Sequence, residues 1–423
     1  MLVQSDVAHD ARVLREARSL ADEGHAIHII GKDVPDDWDR PAGVTVESVS
    51  GGSGLKTKAA ITNESAASGA RGGVTGSARS AARWALLPQH RQAVWRTWCE
   101  RARVAVGDRA YDVVHAHDFN VLILAAELAE RGNARLVYDS HEWWSGRERH
   151  GRPTPLERAR ELRIERRIVA KADAVLTVSE GIAERLGKWR ATPVTVVRNT
   201  FPLQASQASQ ALHASRASRA SRASRASQAS QASKPLRDAT FDVELPERPR
   251  GAVYAGRIGA ARDIETLLTA TAALELDTVL MGKADREFLP HLRLTDASVR
   301  IEPARPVDEV DDVLRSVGIS VVTLTDTCEN HRLALPNKVF HAVRAGVPVV
   351  AADLPELRRL VTDYGIGALY RPGDAESMRG ALAQVASDYP GLCARVALAR
   401  GELNWDQDSK ELVRVYESLA GAR

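Results

Sequence analysis

Short apolar runs, several of them rich in valine and isoleucine, alternate with amphipathic helical stretches twice over, on either side of a low-complexity tract. This alternation constrains the fold more than any other feature. Runs that read as buried on both faces and are separated by helix-length connections specify a parallel sheet covered on both sides. In the first half the expected strands are 26–30, 112–116, 135–138, 174–178 and 194–197, with helices at 10–23, 120–131 and 157–171. In the second half they are 252–255, 278–281, 319–322 and 347–350, with helices near 263–274, 337–345, 375–388 and 407–419. A chain of 423 residues is too long for one ordinary core, so the reading is two α/β domains. Open sheets of this kind bind ligands beyond the carboxyl ends of their strands.

Between the halves, Ala-Ser-Arg/Gln triplets run on with no apolar residue larger than alanine except Leu212. A period of three matches neither helix nor strand and buries no face, so 204–240 is expected to be an interdomain linker. The flanking assignments are 1–203, 241–404, and a helix at 405–423 that packs back across the domain junction. The net charge of +3 belongs to the tract, because removing Arg216, Arg219, Arg222, Arg225 and Lys234 turns it into −2. Nucleic acid is therefore not an expected partner. Residues 50–76, rich in Gly, Ser, Thr and Ala, read as a long loop.

Three scattered cysteines offer no disulfide framework and no spaced metal site, which fits a reducing cytoplasm. The opening MLVQSDVAHDARVL has no signal-peptide core. Leu2-Val-Gln reads as the tail of a first strand, so an upstream start is expected. Residues 78–106 read as an amphipathic helix or helix pair mixing Trp84, Trp95 and Trp98 with arginines. That surface can rest on anionic lipid as a peripheral contact, or it can simply pack its tryptophans on the core.

The chemistry gathers in the second half. Arg257 follows a strand end, and Arg262 opens the next helix. Two guanidiniums beside a helix N-terminus form a diphosphate site with charge-assisted, bidentate bonds. Pro336-Asn337-Lys338 precede a helical run closed by Gly346, with Asn337 a candidate N-cap and Lys338 near the bound anion. In the first half, His115 and His117 alternate on a strand. His141-Glu142 hint at metal, but no third ligand has suitable spacing, so no metal is expected.

In order along the chain, Asp10-Ala-Arg-Val-Leu-Arg-Glu-Ala-Arg18, Val114-His-Ala-His-Asp118, Tyr138-Asp-Ser-His-Glu142, Ala255-Gly-Arg257, Leu333-Ala-Leu-Pro-Asn-Lys338 and Ala345-Gly-Val-Pro-Val-Val350 resemble the family-four glycosyltransferases. The resemblance implies the GT-B fold: two Rossmann-like domains facing each other across a cleft. It implies retaining, hexosyltransferase-type transfer from a UDP- or GDP-sugar to a glycan or lipid-linked acceptor, in cell-envelope polysaccharide or glycoconjugate synthesis. The nucleotide-sugar is then a co-substrate, and no cofactor is needed.

By the same resemblance Arg257 and Arg262 hold the donor diphosphate, and amides around Asn337 and Lys338 cradle its β-phosphate. Glu302 and Pro303 meet the nucleobase, and His117 sits over the donor sugar. Asp10, Arg12 and Glu142 line the acceptor side. Two glutamates of the family pattern are replaced by Leu333 and His341. A neutral histidine accepts one hydrogen bond where a carboxylate accepts two, which bears on donor affinity and nucleotide preference. The alternative is a catalytically weak relative that binds nucleotide-sugars or acts as a scaffold.

Overall fold

The computed structural model describes residues 1–32, 34, 40–50, 74–149, 151–203, 245–285, 287–292 and 298–421. The tract 204–240 and most of the 50–76 loop lie outside the described residues. The chain divides into two compact units, Met1–Val197 with Glu411–Arg423, and Arg198–Lys410.

The first unit carries β1 (Leu2–Asp6), β2 (Ile27–Lys32), β3 (Val44–Ser48), β4 (Val113–His117), β5 (Arg135–Ser140), β6 (Ala174–Thr177) and β7 (Thr195–Val196). These pair in parallel in the order β3-β2-β1-β4-β5-β6-β7. The second unit carries β8 (Gly251–Ala255), β9 (Asp277–Met281), β10 (Val299–Glu302), β11 (Gly318–Val322), β12 (Val349–Ala352) and β13 (Gly367–Tyr370). Its order, β10-β9-β8-β11-β12-β13, repeats the same winding, again wholly parallel. Each sheet reverses direction of growth beside its first strand, and that switch point opens a crevice at the carboxyl ends.

Local chemistry sets the boundaries. Asp10 caps the helix Ala11–Asp22 by accepting from the Val13 N–H. The buried face of that helix includes Arg12 and Glu16 beside Val13, Ala17 and Leu20, a turn of the face away from Leu14 that hydrophobicity alone misses. The run expected at 347–350 begins as a strand only at Val349. Gly346, at φ +84, ends the preceding helix, the Val347 N–H bonds back to Ala342, and Pro348 has no N–H to give a ladder. Met1 is followed by a full five-residue strand in the middle of the first sheet, where only a strand tail was expected.

The expected helix or helix pair at 78–106 is one helix, Val74–Val106, with Pro88 inside it. Its three tryptophans divide: Trp98 is buried, the Trp95 indole donates to the Asn120 carbonyl, and Trp84 is 53% exposed. Among the described residues no helix is long and apolar enough to cross a membrane.

Candidate functional site

In the second unit a cavity of ≈ 660 Å³ lies beyond the carboxyl ends of β8, β9 and β10, against the start of the helix Asn337–Ala345. Arg257, Arg262, Pro336, Asn337, Lys338 and His341 all line it. Residues far apart in sequence meet there because every βα connection of one sheet end opens on the same side. Glu302 and Pro303 do not line it; Ala304 and Arg305, two residues further on, take that place. The Glu302 carboxylate instead accepts from Arg305 at 2.7 Å.

The anion end is built on the helix Asn337–Ala345. Its N-cap is Pro336 rather than Asn337, and no side chain caps it, so its first amides stay available to a ligand. The Asn337 side chain accepts from Asn199 at 2.8 Å. Lys338 Nζ stands 4.7 Å from the centre of the Tyr254 ring, and Tyr254 Oη donates to the Arg257 carbonyl at 2.6 Å. Burial and the neighbouring Arg262 push the Lys338 ammonium down to about 7. Arg262 is held by the turn after it. Asp263, at φ +54, accepts from Thr266, from Tyr370 at 2.9 Å and from the Gly373 N–H at 3.0 Å.

The Lys338 titration has a measurable consequence. A diphosphate bound here would keep the ammonium protonated, so its binding above neutrality would take up a proton. The Kd of UDP is expected to rise by up to about tenfold per pH unit between about pH 7 and 9. Calorimetry in two buffers of different ionisation heat reads that proton directly, and a flat profile would exclude it.

The floor of the cavity needs glycine at two crossing loops. Gly256 has φ +152, and a Cβ there would stand 2.8 Å from Lys338 Cε. Gly282 has φ +142, and a Cβ there would stand 2.0 Å from the Gly256 carbonyl oxygen, which is rigid backbone. Gly282→Ala is expected to destabilise this unit by roughly 2–3 kcal/mol, measured by denaturant unfolding.

Asp285 was not anticipated. Its two oxygens accept from Arg257 Nε at 2.9 and 3.1 Å, and Arg257 Nη2 adds a third contact at 2.8 Å. A signal for it exists, because Gly282-Lys283-Ala284-Asp285 follows β9 as Gly256-Arg257 follows β8.

In the first unit the expected residues also gather at the switch point, after β1, β4 and β5. Arg12, 2% exposed, donates to both Asp139 oxygens at 2.8 Å and to the Val197 carbonyl at 2.7 Å, and pairs with Glu16 at 2.9 Å. It ties its helix to β5 and to the segment after β7. Asp10 is engaged as a helix cap and accepts from Ser5, and Glu142 accepts from Arg147 at 2.8 Å. None of these three lines the ≈ 1150 Å³ cavity of this unit, which lies against the helices Val74–Val106 and Pro155–Val169.

His117 is buried, its Nδ1 3.3 Å from Asp139 and 3.3 Å from His141 Nε2, with its own Nε2 unpartnered. Burial pushes His117 down to about 4. Burial would also lower His141, but Asp118 and Asp139 outweigh it and raise the imidazole to about 9. Glu16, His115, His117 and Asp139 bring ligand-type atoms within 4.8 Å of one another, a grouping that sequence spacing does not reveal. Arg12 supplies the counter-charge to Asp139, while burial and the neighbouring Asp139 push the Glu16 carboxyl up to about 8.

Residues 11–204 match the family described as Glycosyltransferase Family 4, and residues 249–388 match Glycosyl transferases group 1. Over 191 residues the chain is 28% identical to the phosphatidyl-myo-inositol mannosyltransferase of Mycolicibacterium smegmatis, covering 42% of this chain and 47% of that protein. The Mycobacterium leprae protein of the same name is 26% identical over 151 residues, covering 34% and 39%. The chain thus matches about half or less of the length of these curated relatives. Among solved structures, sucrose-phosphate synthase from Thermosynechococcus elongatus superposes with a TM-score of 0.68 at 15% identity, covering 100% of this chain and 99% of that one. Anabaena HepE in complex with UDP and glucose gives 0.59 at 14% identity, covering 99% and 98%. At such identities these neighbours speak to fold, and the fold is GT-B. Two family matches that together span most of the chain, one over each parallel sheet, place it among the family-four glycosyltransferases.

Proposed function

We propose that this chain transfers a hexose, with retention, from a UDP- or GDP-sugar to a glycan or lipid-linked acceptor in cell-envelope polysaccharide or glycoconjugate synthesis. The observation that carries the reading is the cavity at the carboxyl ends of β8, β9 and β10. There Arg257, Arg262 and Lys338 converge on the uncapped start of the helix Asn337–Ala345. Transfer builds positive charge on the sugar and negative charge on the departing diphosphate. Cations and amides fixed beforehand around that diphosphate stabilise the second charge without reorganising.

The chemistry follows a front-face course. The bond from the anomeric carbon to the β-phosphate oxygen breaks, and the acceptor oxygen bonds the same face of that carbon. The acceptor's proton passes to the departing phosphate oxygen. The positive field of Arg257, Arg262 and Lys338 supports this reaction without a metal.

A lipid-linked acceptor draws support from two directions. The mycobacterial relatives carry the name of a phosphatidyl-myo-inositol mannosyltransferase. Trp84 and Leu86, 53% and 61% exposed on the helix Val74–Val106, offer apolar contact at a cytoplasmic membrane face. The test is a screen of UDP- and GDP-sugars with the purified full chain, reading the anomeric configuration of the product by NMR. Tight nucleotide binding with no transfer to any acceptor would leave the binding or scaffold reading in its place.

A further inference from the structure

The ≈ 1150 Å³ cavity of the first unit has no part in the donor site, and it lies where an open parallel sheet takes a ligand. Lys32 closes β2, Phe119 and Trp144 follow the carboxyl ends of β4 and β5, and all three line it. One wall depends on a proline. Pro88 has no N–H to give the Trp84 carbonyl four residues back, and that carbonyl accepts instead from the Arg152 N–H at 3.2 Å. Arg152 Nε adds a bond to the Ala85 carbonyl at 2.9 Å. The segment leading into the helix Pro155–Val169 is thereby fastened to the helix Val74–Val106, and further along both helices Gln92 donates to Glu157.

The lining combines two chemistries. Trp95, Ile123, Trp144 and Ile164 face the cavity as half-buried apolar side chains, and Leu156, which also lines it, is 87% exposed. Around them, eight lysine and arginine side chains are set against five glutamates, an excess of positive charge. Arg103 pairs with Glu127, Arg149 with Glu161, and Arg147 with Glu142. Arg96 and Arg160 are different. Each stands about one turn beyond the Gln92–Glu157 contact on its own helix. Both are exposed, and neither has a hydrogen bond or ion pair to another described residue.

We propose that this cavity binds a lipid phosphate, with the phosphate on Arg96 and Arg160 and the first part of the apolar chain along Trp95, Ile123 and Ile164. Guanidiniums meet a phosphate with paired, charge-assisted bonds. A water-soluble phosphate would satisfy the arginines and leave the apolar wall uncovered. Leu156, with the exposed Trp84 and Leu86 on the turn that Arg152 fastens, carries the chain on toward a bilayer. The inference rests on the transfer reading above and narrows it: the acceptor is carried on a lipid phosphate, and a free glycan does not replace it.

The test titrates the full chain by calorimetry with farnesyl phosphate, farnesol and glycerol phosphate. Farnesyl phosphate is expected to bind roughly tenfold or more tightly than either of the others, because each lacks one half of what the cavity recognises. In the double variant Arg96→Gln, Arg160→Gln its affinity falls to about that of farnesol, whose own binding is unchanged. Leu156→Ser weakens farnesyl phosphate by about threefold and leaves glycerol phosphate where it was. All three side chains are exposed, so these variants keep the fold, and an unchanged melting temperature checks it.

Equal binding of glycerol phosphate or of farnesol overturns the proposal, as does wild-type affinity for farnesyl phosphate in the double variant. UDP and GDP, titrated on the same preparations, keep the two sites apart. A nucleotide that binds where farnesyl phosphate does not sinks the lipid-phosphate cavity and leaves the donor site standing. Farnesyl phosphate that binds where neither nucleotide does keeps the cavity and removes the transfer reading on which its acceptor role rests.

Discussion

Lys338→Met is expected to lower kcat/KM for the nucleotide-sugar by roughly 10²–10³ while leaving the melting temperature at or slightly above the wild-type value. Methionine keeps a flexible apolar chain against Gly256 and the Tyr254 ring and removes only the charge. The asymmetry between activity and stability follows from where the cation stands. Burial and Arg262 make the free ammonium costly, which is why it sits near 7 rather than in the ordinary lysine range. A diphosphate reverses that cost, so the favourable interaction exists only when the ligand is present and is greatest when the leaving group carries most charge. Steady-state kinetics and a thermal melt on the same preparation separate the two. Full activity in Lys338→Met would take the ammonium out of the mechanism.

Arg12→Ala should act in the opposite way, on stability first. Removing the guanidinium leaves the buried Asp139 carboxylate without its principal counter-charge, and the expected cost is about 3–5 kcal/mol. Burial alone would raise the Asp139 carboxyl, but Arg12 and His141 hold it well below the usual carboxylate range. A depressed carboxylate contributes stability above the unfolded-state value and loses it as pH falls through the folded one. Wild-type protein therefore loses this contribution on acidification, whereas Arg12→Ala lacks most of it at every pH. Denaturant unfolding at several pH values distinguishes the two, and a variant as stable as wild type at neutral pH would show that the buried pairs contribute nothing net.

Much of the fold was legible because its cues are local. Valine- and isoleucine-rich runs announced most strands, and Pro336 with Gly346 bounded the helix that carries Lys338. The convergence of Arg257, Arg262 and Lys338 was also readable, since the first two follow β8, the third opens a helix in the connection from β11 to β12, and parallel sheets gather such connections on one edge. What escaped has a common cause. Arg12 and Glu16 lie on a buried helix face, which a hydrophobic pattern treats as solvent-facing. Asp285 and Asp139 matter through partners distant in sequence, and no periodicity marks them. Glu302 and Pro303 stop short of the cavity lining because Glu302 closes β10, and the chain reaches the cavity only at Ala304.

The pairing of Arg257 with Asp285 bears on turnover. Arg257 is 66% exposed and Asp285 35%, so the pair is a surface contact worth at most about 1 kcal/mol and exchanges readily. On the donor reading, Asp285 is a built-in competitor for the leaving group. It yields the guanidinium to an incoming diphosphate and reclaims it as the spent nucleotide loosens, shortening the time that product blocks the site. On the same reading a nucleoside diphosphate would displace the carboxylate more completely than a monophosphate, because its second ionised phosphate adds charge that Asp285 must match.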